Sequence, residues 1–268
     1  MIDTPARLVL LGHPVAHSIS PRFQNAALRA AGIALQYETL DVAPADLAET
    51  MATLGREHAA GNATIPHKQA LAALCAQLSP LAQRVGAANV WWHQDGQLTG
   101  DNSDVGGAEM VMRAFLGAAG GGADITLLGA GGSAASVLCA AERCGVRHVR
   151  VYNRHMPRAV QLAARFPALA LAVESLDDAL RGSALVVNAT PVGLHNDSLP
   201  FPVDMLPIGC GVFDLCYRAG ETAWVRAARA AGHHAADGEG MLLEQGAIAF
   251  ERWFGIAPDR GVMWKALH

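Results

Sequence analysis

The chain has 268 residues, of which 51% are hydrophobic, so it is long enough to bury the cores of two ordinary domains. Its formal net charge is −4 with no basic run, which argues against nucleic acid or an anionic membrane surface as a partner. The apolar stretches fall short of the ~20 residues of a membrane span, and the N-terminus lacks a signal-peptide pattern. We therefore expect a cytoplasmic protein that acts on small molecules.

Cysteine and histidine spacing excludes two further classes of protein. The five cysteines form no C-x-x-C pair, which argues against a disulfide framework or a zinc site. The eleven histidines form neither an H-x-x-H nor an H-E-x-x-H pattern, so we expect no metal.

The first hundred residues alternate between strand-like and helical patterns, which is typical of βαβ units. Strands are predicted at residues 7–12, 37–42 and 61–65, and helices at residues 44–54 and 67–75. Asp95 and Gly96 form a favoured hairpin turn between two further apolar runs at residues 89–93 and 97–100. A helix over residues 104–116 follows.

A glycine-rich stretch at residues 117–122 precedes a second alternating region. Its predicted strands are residues 125–128, 148–152, 184–188 and 211–215, with helices around residues 134–144, 158–166 and 222–231. This alternation predicts a doubly wound parallel sheet. A last helical pattern at residues 240–254 is expected to return to the first domain, which gives predicted domains of 1–105 and 106–236 with C-terminal helices in 237–268.

The turn at residues 129–134, Gly-Ala-Gly-Gly-Ser-Ala, matches G-x-G-x-x-A between a predicted strand and helix. The small residues permit a tight turn and a close approach to a pyrophosphate, while the helix N-terminus faces the anion. Such turns also occur as plain connections, so the motif by itself leaves both interpretations open.

The strand that follows this turn ends at Asn153 and Arg154, where dinucleotide-binding folds contact the adenosine ribose. An acidic residue there would accept from a 2′-hydroxyl, whereas an arginine can pair with a 2′-phosphate. Arg158 lies one turn further on if the helix has begun, so both guanidinium groups could reach one phosphate. NADP is favoured over NAD, and two solvated arginines are the alternative.

Five polar clusters accompany these motifs, at residues 18–21, 62–68, 86–89, 101–104 and 241–245. With the motifs at residues 129–132, 153–154, 188–193 and 237–241, the sequence resembles the shikimate dehydrogenases over nearly its whole length. The resemblance implies an α/β substrate domain followed by a Rossmann-type NADP-binding domain, in a monomer or homodimer. It also implies reversible reduction of 3-dehydroshikimate to shikimate with NADPH, in the synthesis of aromatic amino-acid precursors.

The resemblance also implies a set of site residues. Lys68 and Asp104 match the catalytic positions, and ketone reduction needs a proton source for the developing alkoxide. We expect Lys68 to protonate or stabilise that oxygen, and Asp104 to orient Lys68 and bind a substrate hydroxyl. The matching substrate positions are Ser18, Ser20, Thr64, Asn89, Tyr217 and Gln245. The matching cofactor positions are Gly129, Ala130, Gly131, Gly132, Ser133, Ala134, Asn153, Arg154, Arg158, Thr190, Gly238 and Met241.

Ser20 has a second expected role, because Ser20–Pro21 has the pattern of a helix N-cap followed by a first helical residue. Three positions depart from the family pattern: Val90 and His155 each stand where a threonine is usual, and Val105 where glycine often occurs. They keep open a quinate/shikimate or aminoshikimate dehydrogenase that uses NAD. A non-catalytic sensor of shikimate-pathway metabolites is a further alternative, which the presence of both Lys68 and Asp104 argues against.

Overall fold

The computed structural model describes residues 4–117, 122–218 and 220–268. It divides into two compact units, Met1–Gly106 with Leu242–His268, and Gly107–Met241. Most of the predicted glycine-rich stretch, residues 118–121, lies outside the described residues. Within the described ranges, none of the helices has the length and apolar character needed to cross a membrane.

The elements alternate between strands and helices along both units. The strands are β1 (Arg7–Gly12), β2 (Tyr37–Asp41), β3 (Ala59–Ala63), β4 (Gln77–Leu78), β5 (Val90–Gln94), β6 (Gln97–Asp101), β7 (Asp124–Leu128), β8 (His148–Tyr152), β9 (Ala170–Ala172), β10 (Leu185–Asn188), β11 (Gly211–Asp214) and β12 (Ala235–Ala236). The helices are α1 (Ser20–Ala30), α2 (Leu47–Arg56), α3 (Lys68–Leu74), α4 (Pro80–Val85), α5 (Asp104–Leu116), α6 (Gly132–Arg143), α7 (Met156–Ala164), α8 (Leu176–Leu180), α9 (Ala223–Ala230), α10 (Glu239–Phe254) and α11 (Arg260–Leu267).

The first unit is built on a mixed sheet in the order β2–β1–β3–β5–β6–β4. Strand β1 pairs in parallel with β2 and β3, while β5 runs antiparallel to β3 and β6. Helix α10 packs closely on α1, because Gly246 lies directly against the ring of Phe23 and Gln24 Nε2 donates to Gly246 O at 2.9 Å. The C-terminal helical segment therefore belongs to the core of the first unit.

The second unit is built on a sheet in the order β12–β11–β10–β7–β8–β9, in which all pairs are parallel. Numbered within the unit this is the order 6-5-4-1-2-3, which is the doubly wound arrangement of dinucleotide-binding folds. All four residues of β10 are buried, as expected for a strand covered on both faces. The strand order reverses between β7 and β10, where Leu128 pairs with Asn188. The predicted fold class is confirmed.

Most of the longer predicted elements are present, and β1 and α5 have the predicted bounds. The hairpin turn is confirmed by positive φ angles at Asp95 (52°) and Gly96 (72°). The predicted helix at residues 44–54 is instead a 3₁₀ turn, Pro44–Asp46, followed by α2. The prediction that Ser20 caps α1 is wrong by one residue: Ile19 is the N-cap, and Ser18 Oγ accepts from Ser20 N at 3.3 Å.

Candidate active site

Lys68 and Asp104 form an ion pair in the first unit. The distance from Lys68 Nζ to Asp104 Oδ2 is 2.6 Å, and the two side chains are 18% and 6% exposed. Because little water surrounds the pair, its Coulomb attraction is less screened than that of a surface salt bridge. The side chains predicted to be catalytic are therefore in direct contact, with a small part of the lysine open to solvent.

Local sequence explains where the two residues stand. Lys68 is the first residue of α3, which begins just after Pro66, and the buried ring of His67 donates from Nε2 to Val42 O at 2.8 Å. Asp104 is the first residue of α5, where the helix dipole favours a carboxylate. Each side chain thus emerges from the first turn of a helix that follows a strand.

Asn89 connects this pair to helix α10. Its Nδ2 lies 2.8 Å from Asp104 Oδ1, 3.0 Å from Ser103 Oγ and 3.2 Å from Gln245 Oε1. Its Oδ1 accepts from Ser103 N at 2.7 Å, which fixes the orientation of the amide. The Gln245 oxygen accepts only long hydrogen bonds, from Asn89 Nδ2 at 3.2 Å and from Ser103 Oγ at 3.4 Å, so it can accept a shorter one from a ligand hydroxyl.

The other substrate residues of the first unit lie along the same edge of its sheet. The loop with Ser18 and Ser20 follows β1, and Thr64 follows β3, whose Ala63 pairs with Leu11 of β1. The edge continues into β5 and β6, because Val90 pairs with both Asn62 and Asp101. Ser18 Oγ accepts from Ser20 N at 3.3 Å, and Thr64 N donates to Leu11 O at 2.8 Å, so these residues are held on the edge by bonds to neighbouring segments and not by bonds to Lys68.

Four residues around this edge have no role predicted from the sequence. Ser103 contacts Asn89 and lies 3.4 Å from Gln245 Oε1, while Asn102 Nδ2 donates to Ala87 O at 2.9 Å. The Asp101 carboxylate accepts from Arg252 Nη2 at 2.6 Å. The polar run 101–104 was a usable signal for the first three. No sequence pattern marked Arg252, because it lies 151 positions from its partner Asp101.

The predicted cofactor turn lies at the reversal of strand order in the second unit. Gly129 has φ +100°, and a Cβ on it would lie 3.0 Å from Thr190 Cγ2, so glycine is needed there. A Cβ on Gly131 or Gly132 would meet no atom within 4 Å, so space is open beside the start of α6. With no acidic residue in the first turn of α6, these backbone groups fit the pyrophosphate of a dinucleotide.

The predicted ribose-binding residues follow β8. Arg154 and Arg158 are exposed, and Asn153 Nδ2 donates to His155 O at 2.8 Å. Helix α7 begins at Met156 with His155 as its N-cap, so Arg154 precedes the helix. The condition for the one-turn spacing of the two arginines is therefore not met, since Arg154 lies outside the helix, and their binding to one phosphate stays a prediction.

A buried network lies beneath Thr190. Asp214 is fully buried and accepts from Asn188 Nδ2 at 2.9 Å, Cys216 N at 3.1 Å and Thr222 Oγ1 at 2.8 Å. Asn188 Oδ1 in turn accepts from Thr190 Oγ1 at 2.6 Å. Burial raises the pKa of Asp214, because its desolvation outweighs the hydrogen bonds that favour the charged form. The network links the ends of β10 and β11 and holds Thr190 beside the glycine turn.

The segment before α10 approaches the end of β11. A Cβ on Gly238 would overlap Leu215 O, and it would lie 3.3 Å from Cδ1 of Tyr217, whose pKa is raised by burial. Asp237 Oδ1 accepts from Glu239 N at 3.1 Å, and burial raises the pKa of Asp237 to about 6. Met241 is buried. These residues belong to the second unit, as do the glycine turn and Thr190.

Comparisons with known proteins match this arrangement along the chain. Residues 10–91 match the family described as the shikimate dehydrogenase substrate binding domain, and residues 116–193 match shikimate / quinate 5-dehydrogenase. Residues 238–268 match the shikimate 5′-dehydrogenase C-terminal domain. A shikimate dehydrogenase (NADP(+)) of Rubrobacter xylanophilus is 41% identical, over 99% of this chain and 97% of its own length. The chain belongs to the shikimate dehydrogenase family.

Solved structures of the shikimate dehydrogenase family and of related enzymes share the fold. Shikimate 5-dehydrogenase from Thermus thermophilus, in complex with NADP(H) and shikimate, is 36% identical with a TM-score of 0.87, covering 100% of this chain and 98% of the other. Quinate dehydrogenase from Corynebacterium glutamicum, in complex with NAD, is 29% identical with a TM-score of 0.87, covering 98% and 99%. As a member of the shikimate dehydrogenase family, the chain is an oxidoreductase.

Proposed function

We propose that this chain is an NADP-dependent enzyme that reversibly reduces 3-dehydroshikimate to shikimate, in the synthesis of aromatic amino acids. The observation that carries the proposal is the 2.6 Å contact between Lys68 Nζ and Asp104 Oδ2. An ammonium and a carboxylate side by side can deliver a proton to a carbonyl oxygen and orient a neighbouring hydroxyl. Family membership supplies the substrate and the cofactor.

The second unit has residues suited to hold NADP. The turn from Gly129 through Ala130, Gly131, Gly132 and Ser133 to Ala134 offers backbone groups to the pyrophosphate. The exposed guanidinium groups of Arg154 and Arg158 suit a 2′-phosphate, and Asn153 shapes the turn that presents them. Thr190, Gly238 and Met241 are proposed to line the nicotinamide. When bound, NADPH supplies the hydride that reduces the ketone carbon, and NADP⁺ accepts it in the reverse direction.

The first unit is proposed to bind the substrate and to move the proton. During reduction, Lys68 Nζ gives a proton to the oxygen of the former carbonyl group and regains it from solvent. In the oxidative direction the same nitrogen takes the hydroxyl proton. Asp104 Oδ2 keeps Nζ in place, and its Oδ1 is held by Asn89 Nδ2 at 2.8 Å. Solvent can restore the proton because the lysine side chain is partly exposed.

The remaining substrate residues are assigned by chemistry. Ser18 and Ser20 offer hydroxyl donors to the substrate carboxylate, at the start of α1 where the helix dipole also favours an anion. Asn89, Thr64 and Gln245 are suited to the ring hydroxyls, and Tyr217 of the second unit offers a further phenolic hydroxyl.

A second candidate is a quinate or shikimate dehydrogenase that uses NAD. His155, in place of the usual threonine, occupies the N-cap position of α7 next to Arg154. The similarity to a quinate dehydrogenase with bound NAD also supports this candidate. Val90 does not support it. Its side chain is buried in the apolar cluster with Leu8, Leu10 and Phe23, so it contributes to the core.

Steady-state kinetics test the proposal. Shikimate and quinate are each assayed with NADP⁺ and NAD⁺, by the absorbance of the reduced nicotinamide. We expect the highest kcat/KM for shikimate with NADP⁺. Equal or faster turnover with NAD⁺ contradicts the cofactor assignment, and a preference for quinate contradicts the substrate. Shikimate binding without any absorbance change identifies a metabolite sensor.

A further inference from the structure

Asp101 is a buried carboxylate just outside the proposed substrate contacts. Its side chain is 8% exposed and accepts from three donors: Ser79 Oγ, Asn102 N at 2.7 Å and Arg252 Nη2 at 2.6 Å. Its backbone oxygen also accepts from Asn89 N at 3.0 Å. A buried carboxylate with this many donors strongly restrains the segments that supply them.

The segments that meet at Asp101 are the ones that supply the substrate site. Ser79 caps α4, the helix that leads into Asn89. Asn102 begins the connection from β6 to Asp104. Arg252 lies on α10 seven positions after Gln245, which is about two helical turns and therefore the same face of the helix. Asp101 thus restrains the three segments that hold Asn89, Asp104 and Gln245.

The Arg252 side chain is 48% exposed, but its guanidinium is held at two points. Its guanidinium lies over the ring of Trp92, with 5.9 Å from Cζ to the ring centroid, while its end reaches the Asp101 carboxylate. Gln245 donates from Nε2 to Leu242 O at 2.7 Å, so its Oε1 points at Asn89 only as long as α10 keeps its position. A shift of α10 by about 1 Å would move Gln245 Oε1 out of hydrogen-bonding range of Asn89.

We propose that Asp101 is a positioning residue for the substrate site, and that its bond to Arg252 keeps Gln245 in reach of the substrate hydroxyls that Asn89 and Asp104 also bind. The inference rests on the proposed function, because it assigns the effect of Asp101 to shikimate binding. A positioning role and a purely stabilising role of Asp101 predict different kinetics. A loss of folded protein lowers the apparent kcat and leaves both KM values unchanged, whereas a displaced Gln245 raises the KM for shikimate alone.

The test uses four variants. Asp101→Asn and Arg252→Met remove the ion pair, Arg252→Lys retains a positive charge, and Arg7→Met is the control. The methionine keeps an unbranched apolar side chain and removes the guanidinium with its contacts to Trp92 and Asp101, and the lysine restores a cation. Arg7 pairs with Glu38 and Glu57 at the start of β1, so its replacement removes ion pairs of the same sheet away from Asp101. Circular dichroism and NADP⁺ titration establish the folded fraction of each variant.

We expect Asp101→Asn and Arg252→Met to raise the KM for shikimate about tenfold, the size expected for one lost charge-assisted hydrogen bond, with the KM for NADP⁺ within about twofold of wild type. Arg252→Lys should recover part of the loss, and Arg7→Met should leave both KM values unchanged. If Asp101→Asn does not fold, the KM of Arg252→Met for shikimate tests the inference by itself.

A wild-type KM for shikimate in the folded variants overturns the inference. If the wild-type protein does not turn over shikimate, the proposed function fails instead, and the Kd for shikimate by calorimetry replaces KM in the same comparison. Absence of shikimate binding by the wild type overturns both.

Discussion

Replacement of Lys68 by methionine isolates the proposed proton donor. Methionine retains an unbranched apolar stem but has no ammonium, so the bond from Nζ to Asp104 Oδ2 at 2.6 Å is the contact removed. Asp104 keeps Asn89 as a donor to Oδ1. The variant therefore changes the proton chemistry while the second carboxylate oxygen stays anchored.

The expected effect on catalysis is large. A positioned general acid contributes about 10²- to 10⁴-fold in rate, which corresponds to roughly 3–5 kcal/mol of transition-state stabilisation. The KM for shikimate should change by less than about tenfold, because the other proposed substrate contacts remain. Stability should fall by up to about 3–5 kcal/mol, since the Asp104 side chain is 6% exposed and loses its charged partner.

The chain provides its own control, because it contains two lysines, Lys68 and Lys265. Lys265 is exposed on α11, so Lys265→Met removes one positive charge away from the proposed site. Both variants are assayed for kcat and KM with shikimate at saturating NADP⁺, and for thermal unfolding. A kcat for Lys68→Met within about threefold of wild type would contradict the proton-transfer role. An equal loss of kcat in Lys265→Met would show that the effect results from the change in net charge.

Three further predictions concern the second unit. Gly238→Ala forces a Cβ onto Leu215 O and should lower the free energy of unfolding by about 1–3 kcal/mol. The control is Gly240→Ala, whose Cβ would lie 3.6 Å from Val111 Cγ2 and should leave the free energy of unfolding unchanged. Equal melting temperatures of the two variants would contradict the close approach of Gly238 to Leu215. Arg154→Ser should raise the KM for NADP⁺ about 10- to 100-fold and leave that for NAD⁺ unchanged, and a parallel change in both would argue against a 2′-phosphate contact. Burial raises the pKa of Asp237 from 3.8 to about 6, so the folded state favours the neutral carboxyl. The stability that this carboxyl contributes is therefore present below about pH 4 and is lost as the pH rises through about 6. Asp237→Asn keeps an acceptor for Glu239 N but cannot ionise, so its melting temperature relative to wild type should increase between about pH 4 and pH 7; a constant difference would refute the assignment.

The amino-acid sequence alone determined the elements whose signals are local. Apolar runs and turn residues predicted β1, α5, the hairpin at Asp95–Gly96 and the doubly wound sheet, because periodicity and turn chemistry depend on neighbouring residues. The glycine turn at residues 129–134 was also readable, since its glycines are needed for backbone conformation and close approach. Short elements such as β4, α8 and β12 were missed, because two to five residues carry little periodicity and are stabilised by their tertiary partners.

Only the tertiary structure decided which distant side chains share a hydrogen bond. The sequence suggested that Asn89, Asp104 and Gln245 belong to one site, but the 156 positions between Asn89 and Gln245 are bridged only when α10 packs on the first unit. Asp101 and Arg252 show the same limit more clearly, since no local pattern marks Arg252 as the partner of a buried carboxylate. Strand pairing and helix packing set these contacts, and both depend on the burial of the whole apolar core.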